Sequence, residues 1–447
     1  MQKLYKDFKE KIDFIDKFLL LLIISIPFLL ATSIFLADLI SSIAGIIMIY
    51  IFFKKKNYFF EKIKAEIIFM IIFYLIIIVS LLLTEYFKNS FLASFFYFRY
   101  FLLSLSIYYL LMKYDFFIRI FSYSLIFTIL IISIDGLIQY FFESNLFGYQ
   151  LIGIHSIDRL SLKYITGFFN EEKKLGSYLV RFLPLVLAVI FWSNKKRNNI
   201  FAISLIMFIG LAIFLTSERT ALFLFFIVSI AYFLISKTKL RFMLLLILLF
   251  ILLFSLNPLL KNKFINFTML QLQDDVRSKT WIYENKNKPS LFFYSAEHEN
   301  LVYTSIKIFE ENFLFGSGVK TFYHECQNLK KNKSKELLTA KRGNELVCST
   351  HPHSTYFQLL SDVGIFGFLI IFIYLSYIIG TILKMLFKIE KEGRYFLSYY
   401  FVNIGMLINL FPLIPSGSFF NNWICLIITY LFGFWLFLKN KYLKENI

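Results

Sequence analysis

At 447 residues, 58% hydrophobic and only 17% charged, the chain holds far more apolar material than a soluble core of this length encloses. That excludes a soluble globular protein and makes lipid the missing solvent. The net charge of +18 does not argue for nucleic acid, because Lys and Arg sit mainly in short links between apolar runs, a membrane-topology pattern.

Runs of spanning length, about 20 residues, recur along the chain and predict an all-α polytopic membrane protein with about twelve transmembrane helices. These are expected at 18–36, 38–53, 66–83, 91–112, 116–142, 176–193, 200–216, 220–236, 242–260, 357–384, 396–414 and 420–438. The first run follows Lys3, Lys6, Lys9, Lys11 and Lys17, lacks a small-residue cleavage pattern and reads as a retained helix. With the N-terminus cytoplasmic, the inside links carry Lys54 to Lys56, Lys113, Lys195 to Arg197, Lys237 to Arg241, Lys384 to Arg394 and the tail Lys439, Lys441 and Lys444. The positive-inside rule then places both termini in the cytoplasm.

The chain divides into 1–260, with nine helices and an outer loop near 143–175, a large outer loop at 261–356, and 357–447, with three helices and a tail. Trp281, Phe292 to Tyr294 and an amphipathic helix over 300–312 predict that the large loop is folded and partly helical. No internal repeat argues for a transporter built of inverted halves. Cys326 and Cys348 share this loop, and an oxidising compartment would let them pair; two free thiols are the alternative.

Three arginines stand out because they belong to the outer half of the membrane or its outer surface: Arg99, Arg181 and Arg219. An arginine in hydrocarbon costs at least about 2.5–3.5 kcal/mol and faces a cavity or a partner. Three at one level suggest a shared anion, since guanidinium stays charged and binds diphosphate in bidentate fashion. The alternative is local pairing: Asp135 with Arg99, Glu218 with Arg219, and Glu171 or Glu172 with Arg181. At the end of the large loop, His351 and His353 precede the tenth helix in Thr350-His351-Pro352-His353-Ser354. A neutral histidine accepts a hydroxyl proton at neutral pH. His-x-His is also a weak metal pattern, but no Asp, Glu or Cys set with zinc spacing accompanies it. Asp274-Asp275 reads as solvated surface.

These residues bring in a resemblance. The chain resembles the O-antigen ligase and polymerase family of bacterial envelope-glycan transferases over most of its length. Phe313 to Phe322 is similar to the family's Gly-x-Gly-x-x-x-Phe segment through Gly316 and Gly318, and Cys348 to Gly367 to its His-Asn-x-x-Leu-Gln block, with Ser354 where Asn is usual. Gly167 to Glu172 with Arg181 resembles the Gly-x-Phe-x-(Asp/Asn)-Glu segment, and Thr216 to Thr220 the Gly-Glu-Arg turn, with Ser217 where Gly is usual. The resemblance implies a GT-C-like transferase in the bacterial inner membrane, acting on its periplasmic face without metal or cofactor. Its donor is then a glycan on undecaprenyl diphosphate and its acceptor lipid A–core or a second lipid-linked glycan. Arg181 and Arg219 hold the diphosphate, His353 is the base, and Arg99, His351, Glu171, Gly316 and Gly318 contribute to substrate binding. Lipid-linked oligosaccharide flippase, other transporter and structural subunit are the competing classes.

Overall fold

The computed structural model describes residues 12–54, 60–114, 116–154, 162–193, 198–236, 238–256, 264, 295–332, 346–387 and 395–446. Trp281, Phe292 to Tyr294, Asp274, Asp275 and most of the basic links lie outside them. Every predicted span falls on a helix: α1 (Phe14–Thr32), α2 (Ile34–Lys54), α3 (Lys64–Leu83), α4 (Phe87–Phe95) with α5 (Phe98–Lys113), α6 (Phe117–Phe142), α7 (Leu175–Ser193), α8 (Asn198–Leu215), α9 (Arg219–Ile235) and α10 (Lys239–Leu256). After α11 (Ala296–Glu311) and α12 (Phe322–Asn332) of the large loop come α13 (Thr355–Leu386), α14 (Phe396–Asn409) and α15 (Asn422–Asn446). Among the described residues, eight helical segments are long and apolar enough to cross a membrane, and α8, α9 and α14 are shorter apolar helices. The chain is a multi-pass membrane protein.

Two differences from expectation matter for the site. The predicted 91–112 span breaks at Phe96–Tyr97, so Arg99 is the second residue of α5 and not a residue deep within one long helix. The 143–175 loop also holds a small antiparallel hairpin, β1 (Ile152–Ile154) with β2 (Leu162–Tyr164), register Ile152 to Tyr164.

Burial shows where the core sits. The α7 span is 94% buried and the α15 span 83%, whereas the α2 and α3 spans are 33% buried and turn their other faces outward. α14 packs chiefly on α7 and α15 on α5, so these helices form the centre of the bundle. One end is pinned by Lys113 on Asp16, with Tyr109 and Tyr114 on the same carboxylate, and by Lys439 on Glu66 at 2.5 Å.

At the opposite end, the large loop has its own small core of Leu301, Ile308, Phe322, Cys326, Leu329 and Leu346. Cys326 and Cys348 are joined in a disulfide with Cα atoms 5.4 Å apart. The loop is clasped to α13 by backbone hydrogen bonds from Ser317 N to Ser361 O (2.8 Å), Gly318 N to Asp362 O (3.0 Å) and Ile365 N to Phe313 O (2.9 Å). This is possible because α13 breaks at Gly364 (φ 67°, ψ −167°). A Cβ at Gly316 (φ +70°) would lie 2.4 Å from the Asp362 carbonyl carbon, and one at Gly364 would lie 2.4 Å from that of Leu314. Gly316→Ala or Gly364→Ala is therefore expected to lower stability by at least about 2 kcal/mol, read as a drop in the thermal midpoint of the detergent-extracted protein.

Candidate active site

The three arginines meet different fates. Arg99 binds Asp38 bidentately, Nε to Oδ1 at 3.0 Å and Nη2 to Oδ2 at 3.1 Å, and also donates to the Tyr100 hydroxyl at 2.7 Å. Asn422 completes the carboxylate from α15 at 3.1 Å. The partner of Arg99 is thus Asp38, not Asp135. Asp135 instead accepts from Asn145 Nδ2 and Leu146 N, both at 3.1 Å, and Gln139 one turn on accepts from Thr166 N and Gly167 N at 2.8 and 2.7 Å. These two residues shape the 143–175 loop.

Arg181 is 5% exposed, its Nη1 donates to Asn409 Oδ1 at 2.8 Å, and its Nε has no hydrogen-bond partner among the described residues. Neither Glu171, in an exposed turn, nor Glu172, which pairs with Lys174 at 2.5 Å, neutralises it. Glu218 acts on Arg181 electrostatically. The Glu218 carboxylate caps α7, accepting from Gly176 N (2.7 Å), Ser177 N (2.9 Å) and Ser177 Oγ (2.8 Å). Here it satisfies N–H groups that a helix start leaves unpaired. Ser217 keeps the left-handed conformation (φ 59°) that a glycine would take in this turn, and Arg219 opens α9 beside it. Arg219 interacts electrostatically with Tyr164 of β2 and with His298.

His298, in the first turn of α11, is a site residue the sequence does not announce: it lies two residues ahead of the amphipathic helix expected over 300–312. Its ring lies 5.9 Å from that of His353, which lies 4.1 Å from His351. Ser295 Oγ holds His298 Nδ1 at 2.6 Å, and Thr350 Oγ1 lies 2.9 Å from His351 Nδ1. His353 is itself left-handed (φ 54°), a costly state for a non-glycine residue, and its carbonyl accepts from Ser416 N at 2.8 Å. Ser354 is the N-cap residue of α13.

Burial pushes His351 down from 6.5 to about 4, with His353 adding to the effect. Burial also lowers His353, against the Ser416 backbone and the Glu297 carboxylate. All three rings are therefore neutral at pH 7, since burial lowers His298 too. Between pH 6.5 and about 4 the unfolded chain binds a proton at His351 that the folded chain refuses, so stability falls as pH drops through that window. The thermal midpoint is expected to decline from pH 7 to pH 4, and less steeply in His351→Gln.

Gly316 and Gly318 take backbone roles in the clasp. Gln358 and Asp362, of the same motif, knit the clasp to the 410–421 connection: Gln358 Nε2 donates to Asp362 Oδ2 (3.0 Å) and Ser418 Oγ (2.9 Å), and its Oε1 accepts from Phe419 N (2.8 Å). Three buried polar atoms at this end lack a hydrogen-bond partner among the described residues, namely Arg181 Nε, His351 Nε2 and Ser354 Oγ. Buried polar groups are ordinarily paired, so these three are the described atoms at this end with hydrogen-bonding capacity left over.

Residues 202–372 match the family model described as O-antigen ligase. Over this stretch the chain is similar to the O-antigen ligase family. That match spans Arg219, His298, the Gly316–Gly318 clasp, the disulfide and both His351 and His353, while Arg99 and Arg181 precede it. Among curated proteins, none matches the chain. The matched stretch thus supplies the histidines and one arginine, and the helices before it supply the buried Arg181. The similarity supports a function of the membrane glycan ligase or polymerase type.

Proposed function

We propose that the protein transfers a glycan from undecaprenyl diphosphate to an acceptor hydroxyl at the periplasmic face of the bacterial inner membrane, as an O-antigen ligase with a lipid A–core acceptor. The observation that carries this reading is Arg181, a buried guanidinium without a carboxylate partner among the described residues, at the end of the bundle that also holds the neutral His353. The basic links at the other end and the disulfide at this one support the periplasmic orientation.

His353 takes the proton as the acceptor oxygen attacks the anomeric carbon. One C–O bond forms, the bond from that carbon to the phosphate oxygen breaks, and its electron pair leaves with the diphosphate. Single displacement inverts the anomeric centre. Arg181 and Arg219 stabilise the charge growing on the leaving group, a job for preorganised donors in a dry site, so no metal is required and chelators should leave transfer intact. His351, Ser354 and Glu171 face the sugar or acceptor, Arg99 with Asp38 holds the helix ends around them, and Gly316 and Gly318 fix the loop above.

Deletion of the gene tests the reading. Accumulation of lipid-linked polymer is the expected result. Loss of chain length with single repeat units transferred would make the protein a polymerase with a lipid-linked acceptor, and unchanged envelope glycan would overturn both.

A further inference from the structure

Arg99 and Arg181 pose the same problem, a guanidinium withdrawn from water, and receive opposite solutions. Arg99 is neutralised by a carboxylate with every oxygen engaged. Arg181 has one hydrogen-bond partner among the described residues, the side-chain amide of Asn409, itself 6% exposed at the end of α14, and Glu218 acts on it electrostatically without a hydrogen bond.

The orientation of that amide is fixed. Asn409 Nδ2 donates at 2.8 Å to the carbonyl of Gly405, one turn back on α14. A carbonyl only accepts, so the end facing it must be the NH2 and the end facing Arg181 the oxygen. One amide therefore aims Nη1 while withdrawing no charge, and Nε stays without a partner. A carboxylate in the same place would pair with the guanidinium and compete with any anionic ligand.

We propose that Asn409 is a positioning residue that orients Arg181 for the diphosphate of the donor and, by being neutral, leaves its charge available to that ligand. The inference rests on the reading of Arg181 as a diphosphate ligand.

Asn409→Asp is nearly isosteric and tests both halves with the full-length protein in detergent. The readouts are thermal midpoint, binding of farnesyl diphosphate as probe, and transfer. The expected result is probe affinity weakened at least tenfold and transfer lost in parallel, while the midpoint balances the new ion pair with Arg181 against the lost donation to the Gly405 carbonyl. Asn409→Ala should weaken the probe without raising the midpoint, because the guanidinium is freed but not neutralised. Asn409→Gln is a conservative variant that should recover part of the binding. Unchanged probe affinity in Asn409→Asp, with the midpoint also unchanged, overturns the positioning role. A raised midpoint with unchanged probe binding and transfer keeps the pairing but removes Arg181 from the substrate, which sinks the diphosphate reading instead. If Asn409→Asp does not extract as folded protein, Asn409→Ala decides, since wild-type probe affinity there overturns the proposal.

Discussion

Replacing His353 by alanine will abolish transfer and leave the fold standing. General-base catalysis is typically worth about 10²–10⁴-fold, and His353 is the ring positioned for it: half-buried, neutral, flanked by His351 and His298, with its carbonyl held by Ser416. It is only partly buried, against two other histidine rings, so its removal is expected to leave the hydrophobic core of the bundle intact. The backbone predicts a useful control. Position 353 is left-handed (φ 54°), so His353→Gly should relieve strain of about 1–2 kcal/mol and raise the thermal midpoint while transfer stays absent. Donor-lipid binding in both variants should match wild type. Substantial transfer by either would remove His353 from the chemistry.

Arg181→Met separates stability from function in the same molecule. Losing a preorganised donor at a developing anion lowers the rate by about 10²–10³-fold, so transfer should fall by that factor. Yet the side chain is 5% exposed, with one neutral hydrogen-bond partner and only the electrostatic pull of Glu218 against its burial, and removing a cation so weakly compensated should raise the thermal midpoint. Arg99→Met is expected to do the opposite to stability. It strands Asp38 and should destabilise the fold, by less than the roughly 3–5 kcal/mol of a fully buried pair because the two side chains are 14% and 21% exposed. Measuring both variants side by side checks the assignment; equal destabilisation by the two would show that Arg181 is a structural cation like Arg99.

The sequence is legible where chemistry is conspicuous. Twelve apolar runs name their own spans, and an arginine in such a run declares itself by its expense. The paired thiols stand in one loop with nothing between them but distance along the chain. Partners are less legible. Asp38 lies in a different helix from Arg99, and depth along a span says nothing of which helices adjoin, so Asp135 is an equal candidate until α2, α5 and α15 are brought together. The break before Arg99 is hidden because Phe95 to Phe98 keep hydropathy high across it. His298 escapes notice because it falls just ahead of the stretch that reads as amphipathic helix. Asn409 and Ser416 carry no charge, and a Pro- and Ser-containing stretch reads as an ordinary link.

That link, the twelve residues from Leu410 to Asn421, joins three parts of the site. Asn409 at one margin meets Arg181, Ser416 in its middle meets His353, and Asn422 at the other margin meets the Asp38–Arg99 pair. On the proposed roles, the leaving-group cation and the base are linked through one short ribbon, stitched to the neck of α13 by Tyr356 on Leu410 O and Gln358 on Phe419 N. Adding or removing a residue within this ribbon is expected to cost transfer while every side chain at its ends stays the same.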